Sequence, residues 1–185
     1  DIVNVVIEDG VTTIGNEAFY YCDSLTSVTI PDSVTTIGEE SFQFCDSLTS
    51  VTIPDSVTSI GYGAFWSCDN LISVNIPDGV TAISDYTFYY CKKLASVTIP
   101  DGVTSIGEYA FYNCTGLKNV ELPQQLDTIA REAFYNCNNL ETLEIPNTVE
   151  YIDNYAFYGC TGINGITFST SLEKINSNTF EKCTG

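Results

Sequence analysis

Residues 22–44 read CDSLTSVTIPDSVTTIGEESFQF, and the rest of the chain repeats this stretch with variations. The period is marked by eight cysteines, each 23 residues after the last, at Cys22, Cys45, Cys68, Cys91, Cys114, Cys137, Cys160 and Cys183. A fixed period of this length without insertions is typical of a solenoid, in which each coil buries its apolar face only against its neighbours. The sequence therefore predicts one elongated domain over residues 1–185, built of eight 23-residue coils.

The pattern within one repeat predicts two short strands and one helical turn. Apolar side chains recur at Leu25, Val28, Ile30, Val34, Ile37 and Phe42. Residues 28–30 alternate inward and outward as a strand does, and Pro31 ends the strand because proline cannot donate to a ladder. Residues 34–37 suggest a second extended piece. Residues 39–44 are expected to form one turn of α- or 3₁₀-helix, since Phe42 and Cys45 would then face the core, so the expected fold class is α/β.

The composition excludes two classes of partner. The net charge is −18, from 24 acidic and six basic residues, and residues 1–91 contain no base. Such a charge repels phosphate backbones and anionic lipid, so we expect no binding to nucleic acid. No segment approaches the roughly 20 apolar residues that a membrane-spanning helix requires, so we expect no membrane insertion.

Both ends of the chain fall at the same phase of the repeat. Asp1 and Gly185 each occupy the second position after the cysteine. Solenoids usually close with atypical capping repeats. We therefore expect either a segment of a longer chain or a subunit whose ends stack on other copies.

The repeat pattern CxxLxxVxIPxxVxxIGxxAFxx resembles the BspA-like, or Treponema pallidum type, leucine-rich repeat. The match covers essentially the whole chain, with departures at Glu8 and Ser169 in place of proline and at Ile163 in place of leucine. The resemblance implies a right-handed leucine-rich-repeat solenoid. It also implies an extracellular or cell-surface protein of a host-associated microbe, which adheres to host matrix or to other microbes.

The eight cysteines are expected to be buried free thiols that act as small core residues. Equivalent residues in adjacent coils lie close, but their side chains run parallel, which is poor geometry for a disulfide. The spacing contains no CxxC and the chain contains no histidine, so it does not suggest zinc. Oxidation or metal binding is the alternative.

Aromatic residues form the sharpest candidate for a binding site. The position after each core phenylalanine holds Tyr20, Gln43, Trp66, Tyr89, Tyr112, Tyr135 and Tyr158, and three residues earlier lie Tyr86, Tyr109 and Tyr155. Exposed aromatic residues are enriched in recognition hot spots. The predicted binding residues are Trp66, Tyr86, Tyr89, Tyr109, Tyr112, Tyr135, Tyr155 and Tyr158. The alternative is that these rings only shield the edges of the coils.

Two further sets of columns have weaker interpretations. Hydroxyl columns begin at Ser27, Thr29 and Thr35, and could bind an ordered lattice such as ice or a polysaccharide, or simply suit exposed strands. Acidic columns begin at Asp9 and Asp23, and could take up Ca²⁺ or remain solvated. We expect solvation, and hence no metal and no cofactor.

No base, nucleophile and pocket combine in the pattern, so an enzyme is not expected. The sequence predicts a non-catalytic module that binds a host or microbial surface protein or glycan. The alternative is a structural subunit that assembles head to tail into a fibre through uncapped ends.

Overall fold

The computed structural model describes residues 1–185, which wind into a parallel β-solenoid with two short strands in each 23-residue repeat. The first strands are β1 (Asn4–Val6), β3 (Ser27–Thr29), β5 (Ser50–Thr52), β7 (Ser73–Asn75), β9 (Ser96–Thr98), β11 (Asn119–Val120), β13 (Thr142–Glu144) and β15 (Gly165–Thr167). The second strands are β2 (Thr13–Ile14), β4 (Thr36–Ile37), β6 (Ser59–Ile60), β8 (Ala82–Ile83), β10 (Ser105–Ile106), β12 (Thr128–Ile129), β14 (Tyr151–Ile152) and β16 (Lys174–Ile175).

Pairing between coils joins equivalent positions of consecutive repeats. Val74 pairs with Val97 in parallel, and Ile37 pairs with Ile60. The two strand columns therefore stack like onto like, at the usual strand spacing of about 4.8 Å.

The predicted helical turn is wrong, and with it the α/β class. Residues 39–44 form consecutive turns, and the chain contains no α- or 3₁₀-helix. Glu40 has a φ of 52° and Phe44 a φ of 60°, whereas helical residues have φ near −60°. Positive φ recurs at both positions in the other repeats, at Glu17, Tyr21, Gly63, Ser67, Tyr86, Tyr90, Tyr109, Asn113, Glu132, Asn136, Tyr155, Gly159, Asn178 and Lys182.

Hydrogen bonds explain why this segment does not become a helix. The Cys45 N–H donates to the Phe42 carbonyl of its own coil at 3.2 Å. The Phe42 N–H instead donates to Ala64 O, and the Phe44 N–H to Trp66 O, both at 2.9 Å in the next coil. In a helix every such N–H would bond within the segment. The N–H groups of alternate residues therefore point along the solenoid axis to the next coil. This arrangement requires the residues with positive φ.

A pair of substitutions at Ser67 tests whether the positive φ of the turn residues strains the backbone. Ser67 has a φ of 52°, a conformation that costs an L-residue roughly 1–2 kcal/mol. We expect Ser67→Gly to raise the free energy of unfolding by about 0.5–1 kcal/mol and Ser67→Val to lower it by about 1–2 kcal/mol, as measured by urea denaturation. Ser73, exposed on β7, is the control, because there valine suits the strand and glycine weakens it. Equal stability of the two Ser67 variants would contradict the strain.

The core is a set of stacked columns, as the repeat predicts. Each core phenylalanine lies on the next, with ring centroids 5.1–5.6 Å apart and planes within 15° of parallel, from Phe19 to Phe180. The isoleucine and leucine columns pack around this ladder in one apolar cluster. Each coil therefore shares its core contacts only with its two neighbours.

The cysteines line this core as free thiols. Six of them, Cys45 to Cys160, are fully buried, which confirms the predicted packing role. Each of these thiols donates to the carbonyl of the phenylalanine one coil back, as Cys91 Sγ does to Phe65 O at 3.1 Å. Burial raises the pKa of the Cys45 thiol to about 12, and it raises the pKa of Cys91 further.

No helix in the structure is long and apolar enough to cross a membrane.

Candidate functional site

The predicted binding residues lie together on the turn segments. All eight are half-buried: Trp66, Tyr86, Tyr89, Tyr109, Tyr112, Tyr135, Tyr155 and Tyr158. We call these eight side chains the aromatic surface. Its members lie on one side of the solenoid because each follows or precedes a core phenylalanine by a fixed number of residues.

One ladder of the aromatic surface runs along the solenoid from Trp66 to Tyr158. The Trp66 ring meets Tyr89 edge-on with centroids 4.9 Å apart. Tyr89, Tyr112, Tyr135 and Tyr158 then stack in sequence with centroids 4.6–4.9 Å apart and planes within 16° of parallel. Each ring inside this ladder therefore has both faces covered by its neighbours.

A second stack lies beside the first. Trp66 and Tyr86 stack with centroids 5.2 Å apart, and Tyr86 and Tyr109 with centroids 4.7 Å apart. Gly63, with a φ of +56°, lies beside the indole, where an added Cβ would meet Trp66 Cε3 at an ordinary contact distance of 3.4 Å. We call Trp66, Tyr86 and Tyr109 the aromatic trio.

Contacts within each coil join the two stacks. Tyr86 meets Tyr89 at a centroid distance of 5.2 Å, and Tyr109 meets Tyr112 at 5.7 Å. The two rings of each pair therefore lie on one face, and a series of turns, not a helix, brings them together. Tyr155 lies further along, where it contacts Tyr158 at 5.8 Å.

The sequence reasoning missed several aromatic neighbours. Tyr62 lies 5.2 Å from Tyr86, and Tyr90 lies 5.8 Å from Tyr112, between ring centroids. Phe44 extends the surface towards Tyr21, at 4.4 Å. The position before three of the cysteines holds Tyr21, Phe44 and Tyr90, and this recurrence is the signal that would have found these three residues.

Burial raises the pKa of five tyrosines of this surface, Tyr86, Tyr89, Tyr109, Tyr112 and Tyr135, and so favours their neutral form. Burial, with the neighbouring tyrosines Tyr135 and Tyr89, raises the pKa of Tyr112 to about 12. Burial and then Glu132 raise the pKa of Tyr109, whose hydroxyl donates to Glu132 Oε1 at 3.4 Å. The side-chain oxygens that are buried without a partner belong to Ser41, Gln43 and Asp69, so no tyrosine hydroxyl is a buried, unsatisfied group. The surface thus offers ring edges and phenol hydroxyls to a partner.

The hydroxyl and acidic columns do not form a cluster comparable to the aromatic surface. The hydroxyl columns that begin at Ser27, Thr29 and Thr35 are exposed along the strands, and Asp9 and Asp32 are exposed as well. Asp69 is paired with Lys92, whose Nζ lies 2.7 Å from its Oδ2. No group of three or more histidine, cysteine or carboxylate side chains is placed to hold a metal ion. Calcium uptake by the acidic columns stays an alternative.

The family is established by comparison with known proteins. The family described as "BspA type Leucine rich repeat region" matches residues 1–94 and 81–185, in six copies. The chain belongs to this family, which confirms the resemblance found in the repeat pattern. No relative among curated proteins matches the chain.

Solved structures place this family among bacterial proteins. The T. pallidum leucine-rich-repeat protein is similar at 33% identity and a TM-score of 0.81, over 87% of this chain and 78% of its own. A leucine-rich cell-surface protein of Faecalibacterium prausnitzii A2-165 is similar at 32% identity and a TM-score of 0.62, over the whole of this chain. The chain spans 58% of the length of that protein. The pneumococcal vaccine antigen PcpA, at 20% identity and a TM-score of 0.61, shares the fold.

Proposed function

We propose that the chain is a non-catalytic interaction module, extracellular or on a cell surface, which binds a host or microbial surface protein through the aromatic surface. The observation that supports this proposal is the pair of aromatic stacks that run along several coils. Tyrosines of this kind supply a large, rigid and amphipathic contact area at little cost in conformational entropy. Its family and the named cell-surface relative support the location.

The orientation of the rings favours a protein over a glycan. A sugar that stacks on an aromatic side chain needs an open ring face. Inside the ladder, Tyr112 and Tyr135 are covered on both faces by neighbours at 4.6–4.9 Å. A partner therefore meets hydroxyls and ring edges, which suit hydrogen bonding and packing by protein side chains.

An array of purified extracellular-matrix proteins, with a glycan array beside it, tests the proposal. The wild-type chain is expected to bind at least one of the proteins. A triple variant, Tyr89→Ser, Tyr112→Ser and Tyr135→Ser, is expected to weaken that binding about tenfold or more, as measured by biolayer interferometry. Circular dichroism of the triple variant checks that it remains folded.

The matched control removes three side chains from the strand face. Thr52→Ala, Asn75→Ala and Thr98→Ala lie on exposed strand positions and are expected to leave binding unchanged. Binding that resists loss of the tyrosines, or that disappears with the control, would contradict the proposed surface. Binding to glycans alone would contradict the choice of a protein partner.

End-to-end association, the alternative function, stays a prediction. Dynamic light scattering of the isolated chain would measure it directly.

A further inference from the structure

Four tyrosines of the aromatic surface stack face to face in consecutive coils. We call Tyr89, Tyr112, Tyr135 and Tyr158, which occupy the same position of four successive repeats, the tyrosine ladder. Neighbouring rings have centroids 4.6–4.9 Å apart and planes within 16° of parallel. Because the coils repeat, each phenol faces the equivalent phenol of the next coil.

Two phenols in this arrangement are placed to couple when each loses one electron. The electron passes to an oxidant and the hydroxyl proton passes to water, which leaves a phenoxyl radical with unpaired density on the carbons beside the oxygen. Two such radicals form a carbon–carbon bond when their ring faces meet at these carbons. The hydrogens on the two bonded carbons then leave as protons and both oxygens take up protons, which restores two phenols joined as dityrosine.

The ladder directs this coupling to neighbours in the same chain. Tyr112 lies 4.9 Å from Tyr89 and 4.7 Å from Tyr135, so phenols of the chain cover both of its faces. At the end of the ladder, Lys182 Nζ lies over the ring of Tyr158, 4.9 Å from its centroid. A phenol of another molecule therefore does not reach these faces. The rings are half-buried and not enclosed, so a soluble oxidant still reaches their hydroxyl edges.

Tyr151 provides the contrast within the same molecule. It is 39% exposed, and its partners in the adjacent coils are Thr128 and Lys174. Its hydroxyl donates to Asp153 Oδ1 at 3.4 Å. A phenoxyl radical at Tyr151 would thus have no phenol stacked on it.

We infer that one-electron oxidation converts the tyrosine ladder into dityrosine links between adjacent coils. A haem peroxidase with hydrogen peroxide is the oxidant: one peroxide accepts two electrons and two protons, so two phenols and one peroxide give one dityrosine and two waters. Each link closes a loop of 23 residues, which restrains the unfolded chain as a disulfide does. The modification requires no binding partner and does not rest on the proposed function.

The pair Tyr112 and Tyr135 gives a distinct product for the test. The isolated chain is treated in dilute solution with haem peroxidase and hydrogen peroxide, and its monomer is recovered from a denaturing gel. After reduction and alkylation of the cysteines, trypsin places Tyr112 in peptide 94–118 and Tyr135 in peptide 132–174. Mass spectrometry is expected to find these two peptides joined, with the loss of two hydrogens.

Two single variants assign the link to the ladder. Tyr135→Phe keeps the ring and its stacking but cannot form a phenoxyl radical, and it is expected to remove the joined peptides. Tyr151→Phe removes a phenol from the same tryptic peptide and is expected to leave their yield unchanged. Coupling of N-acetyltyrosinamide in a parallel reaction checks that the oxidant is active.

Three results would overturn the inference. They are peptides that stay separate although N-acetyltyrosinamide couples, joined peptides that occur only in dimers of the chain, and an equal loss of the joined peptides in Tyr151→Phe and Tyr135→Phe. Failure of the proposed function would be distinct from all three, because this reaction contains no matrix protein or glycan.

Discussion

Phe111→Ala is expected to lower the free energy of unfolding by about 3–5 kcal/mol. Phe111 is fully buried, and its ring stacks on Phe88 and Phe134 with centroids 5.3 and 5.1 Å away. The cavity cannot be filled from elsewhere, because each coil contacts only its neighbours. Urea denaturation followed by circular dichroism measures the loss.

The position of the cavity matters as much as its size. Phe180 is half-buried in the last repeat and stacks on Phe157 alone in that ladder, at 5.5 Å. We expect Phe180→Ala to cost about 1–2 kcal/mol. We also expect Phe111→Ala, but not Phe180→Ala, to let the coils before and after it unfold separately, which hydrogen exchange would detect. Equal losses in the two variants would contradict the model of neighbour-only contacts.

Stability is expected to fall steeply above pH 9. The six buried thiols have pKa values raised by burial, to about 12 for Cys45, while an unfolded cysteine has a pKa of about 8.5. Between these values the unfolded chain releases protons that the folded chain keeps, so stability is present below pH 8 and is lost as pH rises. Each thiol lowers the free energy of unfolding by up to about 1.4 kcal/mol per pH unit, which makes roughly 8 kcal/mol per pH unit for all six.

Urea denaturation at a series of pH values between 7 and 10 measures this slope. Cys91→Ala removes one buried thiol and is expected to make the slope shallower by about 1.4 kcal/mol per pH unit. Asp78→Asn, at an exposed carboxylate, is the control and should leave the slope unchanged above pH 9. Constant stability from pH 8 to 10 would show that the thiols do not stay protonated in the folded state.

The core could be predicted from the sequence because the core residues recur at one fixed interval in every repeat. Phe111, Ile106 and Cys114 recur at the same phase in every repeat, and a residue identical in every coil is one that stacks on its own copies. The two strands of each repeat followed from alternation and from proline, but their bounds differ: the structure has Ser27–Thr29 where the sequence predicts residues 28–30, and Thr36–Ile37 where it predicts residues 34–37.

The conformation of the turn could not be predicted in the same way. Positive φ usually requires glycine or asparagine, yet Glu40, Phe44, Tyr86 and Tyr109 adopt it here. The hydrogen bonds that stabilise this conformation join one coil to the next, so no sequence pattern within one repeat predicts them. Inward spacing of Phe42 alone fits a helical turn and a series of β-turns equally well.

The geometry of the candidate site could not be predicted from the sequence either. Periodicity identified the tyrosine positions, whereas the closed ring faces depend on stacking distances of 4.6–4.9 Å. Trp66 lies beside Gly63, at a position of the repeat that the other coils fill with larger residues. Such contacts between coils decide which kind of partner the surface suits.

The alternating hydrogen bonds of the turns also restrict how this protein can change its length in evolution. Turn peptides donate forwards to the next coil, as Phe42 does to Ala64, while the strand side donates in both directions, backwards from Gly38 to Ile14 and forwards from Ile145 to Thr167. An insertion or deletion of one complete 23-residue unit leaves every such bond with a partner, and any other length leaves both sets mismatched. Gene duplication in whole units can therefore lengthen or shorten the binding face in steps of about 4.8 Å without redesign of the core.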